Sequence, residues 1–476
     1  MSDLLYLTAT EALARFADKT LSPVELLSAQ IAQAEATKDT VNAFTYTHFD
    51  EAMDAALASE ARWTKGEPLG CLDGLPVAIK DESHIAGKPT SYGSLIAKDY
   101  VADTTSPMNQ PILAEGAIVH ARTATPEYSC AGFTWTRLWG VTRNPWNLEY
   151  TPGGSSGGSA ASLAAGTSSL ATGSDIGGSI RIPASCCGLV GYKPPYGRNP
   201  DDIPFNLDFY CHTGPLARSV SDAILLQNVM SGQHPWDIAS LPKITLPTQY
   251  PDIKGWKIAL SMDLGSFQVS DDVRRNTLAA ADTFRALGAT VEEVDIGWGA
   301  EVPKACLVYL THLFGGALSM ELDEHGDKMT SYCRALAEKS LGSTAQEFVA
   351  SLQTAGEAYM KLGPLLQDYD CLICPTNALP AVRADFDQSV ETIEINGVEV
   401  DPSLGWVMTT PFNMMSRCPV ISVPSGFAIN GVPTGLQIVG PAYRDEIVFQ
   451  AALSFEAAKG GWFNEAGTRP QFGDQD

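Results

Sequence analysis

GWKIALSMDLGSFQVSDDVRRNTLAAADTFRALGATVEEVDI, residues 255–296, reads as strand, helix, strand. Lys257–Ser261 is a short apolar run suited to a buried strand. Asp271–Leu287 repeats apolar residues at helical spacing, and Ala289–Val294 is a second extended run. Gly288 supplies the stop between helix and second strand, because glycine enters the left-handed conformation that ends helices without a Cβ clash. Strand, helix and strand in this order predict the α/β class. No Gly-x-Gly-x-x-Gly follows the first strand, so a dinucleotide is not expected there.

Working outward, the same alternation begins near Leu75. Short apolar or β-branched runs at Val77–Ile79, Ala117–His120 and Ser168–Thr172 alternate with Gly/Ser/Pro turns and helices of small residues. Residues 1–65 are different and predict helices. Thr8 is an N-cap with Glu11 three residues on, a capping-box pattern. Leu21–Ala34 carries helical spacing with Pro23 near its start, residues 40–49 are extended, and Glu51–Trp63 is Ala-rich and helical. Val229–Lys254 is Pro-rich and polar and suits a surface crossing. Pro380–Trp406 is expected to be irregular, and residues from about 464 to 476 to fray. Strand signals on both sides of the crossing can join one sheet. The expectation is therefore one domain over residues 1–476, with an N-terminal helical segment (1–65), the core motifs (66–232) and the remainder of the same sheet (233–476).

The 476 residues include 45% hydrophobic, 9% aromatic and 18% charged side chains, which suits a globular protein with a large core. The net charge of −24, from 31 Lys+Arg against 55 Asp+Glu, repels phosphate backbones and anionic lipid. Nucleic-acid and membrane-surface partners are therefore not expected. No apolar run is long enough to span a bilayer, and the N-terminus lacks a basic start followed by an apolar block, so the expected location is cytoplasmic. Ten cysteines are scattered rather than clustered and are expected to be reduced and mostly buried. Cys371-Leu-Ile-Cys374 has redox-motif spacing, but on a buried strand its two thiols face opposite ways, and no second pair completes a zinc site.

Three stretches can carry chemistry: Gly74-Leu-Pro-Val-Ala-Ile-Lys80-Asp81, Gly153-Gly-Ser155-Ser156-Gly-Gly-Ser159 and Gly173-Ser-Asp175-Ile176-Gly177-Gly178-Ser179-Ile-Arg181-Ile-Pro-Ala184. Lys80 ends an apolar strand. Burial disfavours its charged form and lets it act as a base, whereas a lysine reaching solvent beside Asp81 would be the ordinary alternative. The run around Ser155 is flanked by Asn144-Pro145-Trp146 and a small-residue helix, which argues against a linker. A phosphate loop would need Lys then Ser/Thr where Ser159-Ala160 stands. Glycines that hold a serine in unusual backbone geometry remain the best reading. Ser179 reads as the first turn of a short helix ending at Gly188, where free N–H groups of Ile176, Gly177 and Gly178 can face an oxyanion. A simple N-cap serine is the alternative. His84 lies close to Lys80, but no Gly-x-Ser-x-Gly elbow is present, so a Ser–His arrangement is disfavoured and His84 is read as structural or a pocket wall.

Taken together, these three stretches resemble the amidase signature family, whose members hydrolyse amides through a Ser–cis-Ser–Lys triad. The resemblance extends to Asn144-Pro145-Trp146-Asn147, Gly191-Tyr192-Lys193-Pro194, Gly214-Pro215-Leu216-Ala217-Arg218 and the stretch from Asn413 to Pro441. It implies a single large α/β domain with a mixed, mostly parallel twisted sheet covered by helices on both faces. Position by position, it implies Lys80 as base, Ser155 as bridging serine after a cis bond from Gly154, and Ser179 as nucleophile. The N–H groups of Ile176, Gly177, Gly178 and Ser179 become the oxyanion hole, and Asp175, Arg181 and Ser156 support it. It also brings the loop Thr125–Gly132 to the substrate, with Ser129, Cys130 and Trp135 as contacts; Phe133, Trp139, Tyr309, Trp406 and Phe412 are further candidates for an aromatic wall.

The substrate implied is a small-molecule amide, whether aryl, fatty, peptide C-terminal, small aliphatic or ureido, hydrolysed without metal or organic cofactor by an enzyme for which a homodimer is compatible. Three classes stay open: a stand-alone amide hydrolase, the glutaminase-type subunit of a tRNA-dependent amidotransferase, and a non-catalytic binding protein on the same scaffold.

Overall fold

The computed structural model describes residues 2–463 and 468–472. Eleven strands form one sheet: β1 Phe44–Thr47, β2 Pro76–Lys80, β3 Ile118–Thr123, β4 Leu170–Ser174, β5 Val190–Lys193, β6 Thr213–Ala217, β7 Lys257–Leu260, β8 Thr290–Glu293, β9 Cys371–Pro375, β10 Val420–Phe427 and β11 Pro433–Val439. Their spatial order is β1-β3-β2-β4-β6-β5-β10-β11-β9-β7-β8. Strands from before and after the Val229–Lys254 crossing share this sheet, and helices cover both faces, as the sequence leads one to expect. Parallel pairing occupies the two wings, β3-β2-β4 and β9-β7-β8, whereas the centre from β4 to β9 is antiparallel throughout. The share of parallel pairs is therefore smaller than the strand–helix–strand pattern suggests. β10 and β11 are joined by the short turn 428–432, whereas helix Arg181–Cys187 lies between β4 and β5 in the chain.

The 255–296 unit folds as read. β7 and β8 are parallel, helix Asp271–Ala286 lies between them, and Gly288 has φ +89°. The N-terminal helices Ala9–Ala17 and Pro23–Val41 each begin with a complete capping box, Thr8/Glu11 and Ser22/Glu25. Within the span expected to be irregular, Ile393–Ile395 pairs with Val398–Val400 around Asn396-Gly397, both at positive φ. This is the two-residue turn that Asn-Gly favours, a signal that the scattered prolines and acidic residues around it obscure. Most of the terminal stretch expected to fray lies outside the described residues. Within 468–472, Arg469 ion-pairs with Asp3 and covers the Tyr6 ring.

Side-chain alternation decides which face carries chemistry. Val77 and Ile79 of β2 enter one core layer with Ile258, Leu260, Cys371 and Ile373, beneath helices Asp271–Ala286 and Asp445–Lys459. Ala78 faces the other way, against the small-residue helices Gly157–Ala164 and Arg181–Cys187. With a period of two, Lys80 shares the face of Ala78. Cys371 and Cys374 likewise fall into opposite layers. The second core layer continues on the Ala78 side under helices Glu301–Leu310, Ser331–Ser340 and Ala345–Asp368.

Candidate active site

Lys80 is only 1% exposed, at the end of a strand in which every residue is buried. Its Nζ lies 2.7 Å from Ser155 Oγ, 2.9 Å from Ser174 Oγ and 3.1 Å from Glu82 Oε2. Burial lowers its pKa below the ordinary lysine value, opposed chiefly by Glu82. The alternative of a lysine reaching solvent beside Asp81 does not hold. Asp81 turns away and accepts hydrogen bonds from the Ser91 N–H and hydroxyl, and the carboxylate that reaches Lys80 belongs to Glu82. Arg122, one strand over, donates to the carbonyls of Lys80 and Ser83 and pins the turn between them.

The two serine loops meet beside this lysine. The Gly154–Ser155 bond is cis, and the Ser156 N–H donates to Ser179 O at 3.2 Å. Ser156 Oγ lies 3.4 Å from Ser174 O. Glycine is required at 154 by close packing: a Cβ there would come within 2.4 Å of Phe133 O. Gly178 is required both by packing and by conformation, with φ +125° and Thr409 Oγ1 only 1.9 Å from a Cβ. Ser179 does not stand inside the helix, which begins at Arg181. It occupies the turn before it, 7% exposed. Among the described residues its Oγ has no hydrogen-bond partner, and it is not bonded to Ser155 Oγ.

Asp175 and Arg181, which the resemblance places in support of the site, make a bidentate pair, Oδ1 to Nη2 at 2.8 Å and Oδ2 to Nε at 2.9 Å, both fully buried. Burial alone would raise the Asp175 carboxyl, but the Arg181 guanidinium holds it well below the usual carboxylate range. All five guanidinium N–H groups are used, the remainder by Thr409 O, Gln437 Oε1 and Asn413 Oδ1. Asp175 also accepts the Gly178 N–H at 2.8 Å. That bond removes Gly178 from the expected oxyanion donors, whereas among the described residues nothing accepts from the N–H groups of Ile176, Gly177 and Ser179.

Two cavities flank these groups. One, of about 220 Å³, is bounded by Ser179, Ile176, Ile182, Leu310, Phe314 and Leu336 and includes Ser129 and Cys130. The other, of about 130 Å³, is lined by Ser155, Ser174, Glu82, Tyr92, Asp202 and Phe205. Ser129, Ile176 and Phe314 border both. Ser129 reaches that position through a turn in which Tyr128 and Ser129 both have positive φ. Phe314 comes from one π-helical turn, Thr311–Gly315, in a helical stretch that no sequence signal noted above marks.

Trp135 lines neither cavity. Its indole donates to Phe386 O at 2.8 Å and packs edge-on against Tyr332. Phe133, Trp406 and Phe412 are buried core, Trp139 donates to Ser91 Oγ and Tyr309 to Asp208. The aromatic wall expected from these residues is instead supplied by Tyr92, Tyr128, Phe205, Phe314 and Tyr332, which no local motif marks. Glu82 and Ser174 were also missed, although both stand within two residues of motif positions. His84 is structural, its ring bonded to Tyr92 Oη.

This fold brings a buried lysine beside two serine-bearing loops. Residues 25–449 match the amidase family. An acylamidase of Rhodococcus erythropolis is 31% identical over 466 residues, 96% of each chain. A glutamyl-tRNA(Gln) amidotransferase subunit of Acaryochloris marina is 29% identical over 92% of this chain and 95% of its own. The crystal structure of a bacterial aryl acylamidase superposes with TM-score 0.88 at 31% identity, covering 95% of this chain and 96% of that one. The chain belongs to the amidase signature family and is an enzyme acting on carbon–nitrogen bonds of amides. Among the described residues no helix is long and apolar enough to cross a membrane.

Proposed function

We propose that the protein is a stand-alone amidase that cleaves its substrate through an acyl-enzyme on Ser179. The observation that carries this is the buried 2.7 Å contact between Lys80 Nζ and Ser155 Oγ, with the next residue, Ser156, bonded to the Ser179 carbonyl. Rotation of Ser179 about χ1 changes where its Oγ points while the backbone stays in place, and contacts of this kind commonly tighten only when substrate binds. Neutral Lys80 takes a proton from Ser155 as Ser155 takes one from Ser179, whose Oγ attacks the carbonyl carbon. The N–H groups of Ile176, Gly177 and Ser179 face the developing oxyanion. Ser155 then protonates the leaving nitrogen as the C–N bond breaks, and water releases the acid by the same route.

Proton delivery from Ser155 supports an assignment of the two cavities. The leaving nitrogen receives its proton from Ser155, so the amine lies in the cavity lined by Ser155, and the acyl group lies in the apolar cavity beside Ser179. Apolar and aromatic walls on both sides favour an acylated aromatic or hydrophobic amine. A second reading, glutamine hydrolysis within an amidotransferase complex, draws on Lys339 and Asp401 in the acyl cavity lining, which could receive the two charges of an amino acid. Incubating the purified chain with acyl anilides, alkyl amides and glutamine separates the two. Release of arylamine by the protein alone is expected; hydrolysis of glutamine only, and only with added subunits, would reverse the assignment.

A further inference from the structure

The three acceptors around Lys80 Nζ match the three protons of an ammonium group. Two are the hydroxyls of Ser155 and Ser174, at 2.7 and 2.9 Å, and the third is the Glu82 carboxylate at 3.1 Å. These contacts suit a protonated lysine paired with a carboxylate, whereas the proposed reaction requires it neutral. Glu82 is not sealed in with its partner. Its side chain is 21% exposed and lines the amine-side cavity, and the same Oε2 accepts the hydroxyl of Ser129, which borders both cavities.

We propose that Glu82 is a positioning residue for Lys80: it holds the amine as an ammonium in the resting enzyme and so sets the lower pH limit of catalysis. Resting on the acyl-enzyme reading above, this adds a residue that neither the serine–glycine motifs nor the triad includes. As pH rises, the Lys80 ammonium gives its proton to solvent water by way of the amine-side cavity, which Glu82 lines. The lone pair then becomes available to Ser155.

The other ionisable groups near Glu82 are Arg122 on β3, Asp201 and Asp202 from the loop ahead of Phe205, Cys211 and Tyr92, with the Asp175–Arg181 pair beyond Ser174. Burial raises the Asp201 carboxyl, the Cys211 thiol and the Tyr92 phenol. The charge of Arg122 is opposed chiefly by Asp81, and Glu82 is the carboxylate in direct contact with Lys80.

The sign follows directly. A carboxylate within contact distance favours the charged amine, so removing it lowers the pH at which Lys80 becomes neutral. The test follows the rate of Ser179 labelling by a fluorophosphonate against pH, which needs no knowledge of the natural substrate, with thermal unfolding as a check on folding. In Glu82→Gln the acid limb is expected to move down by about 1–3 pH units, with a plateau within about tenfold of wild type. Glu82→Asp, which withdraws the carboxylate by one methylene, is expected to shift the limb in the same direction by a smaller step, and it carries the test if the Gln variant does not fold. An acid limb that stays in place or moves up in a folded variant overturns the inference while leaving the acyl-enzyme intact. Loss of labelling at every pH in a folded Glu82→Gln variant also overturns it, since Glu82 would then act in the chemistry. Failure of the wild type to label at all would overturn the acyl-enzyme reading and this inference together.

Discussion

Around Ser179 the backbone is tied from several sides. Asp175 accepts the N–H groups of Gly178 and Ile180, Arg181 spends all its donors on Asp175, Thr409, Gln437 and Asn413, and Ser156 holds the Ser179 carbonyl. Across the cavity beside Ser179, Leu307, Leu310, Phe314 and Leu336 close the space by contact alone, from helices in the 301–340 span. In the proposed mechanism the first region fixes where charge develops and the second fixes what fits. Polar networks lose function abruptly when one member is removed, whereas apolar walls change preference by degrees.

The largest expected effect is at the attacking atom. Ser179→Ala should lower turnover by at least about 10³-fold, with an unchanged circular-dichroism spectrum and thermal midpoint, because its Oγ makes no hydrogen bond among the described residues. Ser155→Ala should cost about 10²–10⁴-fold in kcat through loss of proton transfer. It should raise KM little, since Ser155 lines only the amine side.

Asp175→Asn tests the ties rather than the chemistry. Removing one partner of a fully buried ion pair leaves Arg181 uncompensated and should cost about 3–5 kcal/mol in denaturant unfolding at neutral pH. The Asp175 carboxyl is held below its unfolded value, so its contribution is fully present above about pH 4 and is lost as pH falls through the folded value. The stability difference between wild type and Asp175→Asn should therefore shrink below about pH 4. The smallest effect belongs to the apolar wall: Leu310→Ala should shift relative kcat/KM between short and long acyl groups by about 1–3 kcal/mol, with little change in stability or in the pH profile.

The same contrast explains what the sequence made legible. Lys80, Ser155, Ser179, Asp175 and Arg181 stand in short stretches where glycine and charge at fixed spacing leave few readings. The strand–helix–strand unit of 255–296 likewise carries its own signals. Asn413 and Gln437, in the distant stretch that shares the family pattern, prove to be the side chains that complete Arg181. The cavity walls were not legible, because Tyr92, Tyr128, Phe205, Phe314 and Tyr332 converge from separate elements and are locally indistinguishable from core aromatics. Trp135, chosen by proximity to the substrate loop, faces Phe386 and Tyr332 instead. Glu82 escaped notice because adjacent Asp81 was the nearer candidate, and only the turn fixed by Arg122 shows which carboxylate reaches the lysine.

The proton path from Ser179 to Lys80 is tested most directly by peptide mapping of the fluorophosphonate adduct in wild type and in Lys80→Ala. A single adduct on Ser179 is expected, forming at least about 10³-fold more slowly in the folded Lys80→Ala variant. An adduct on another residue of the active enzyme, or labelling of Ser179 at the wild-type rate without Lys80, would contradict the account.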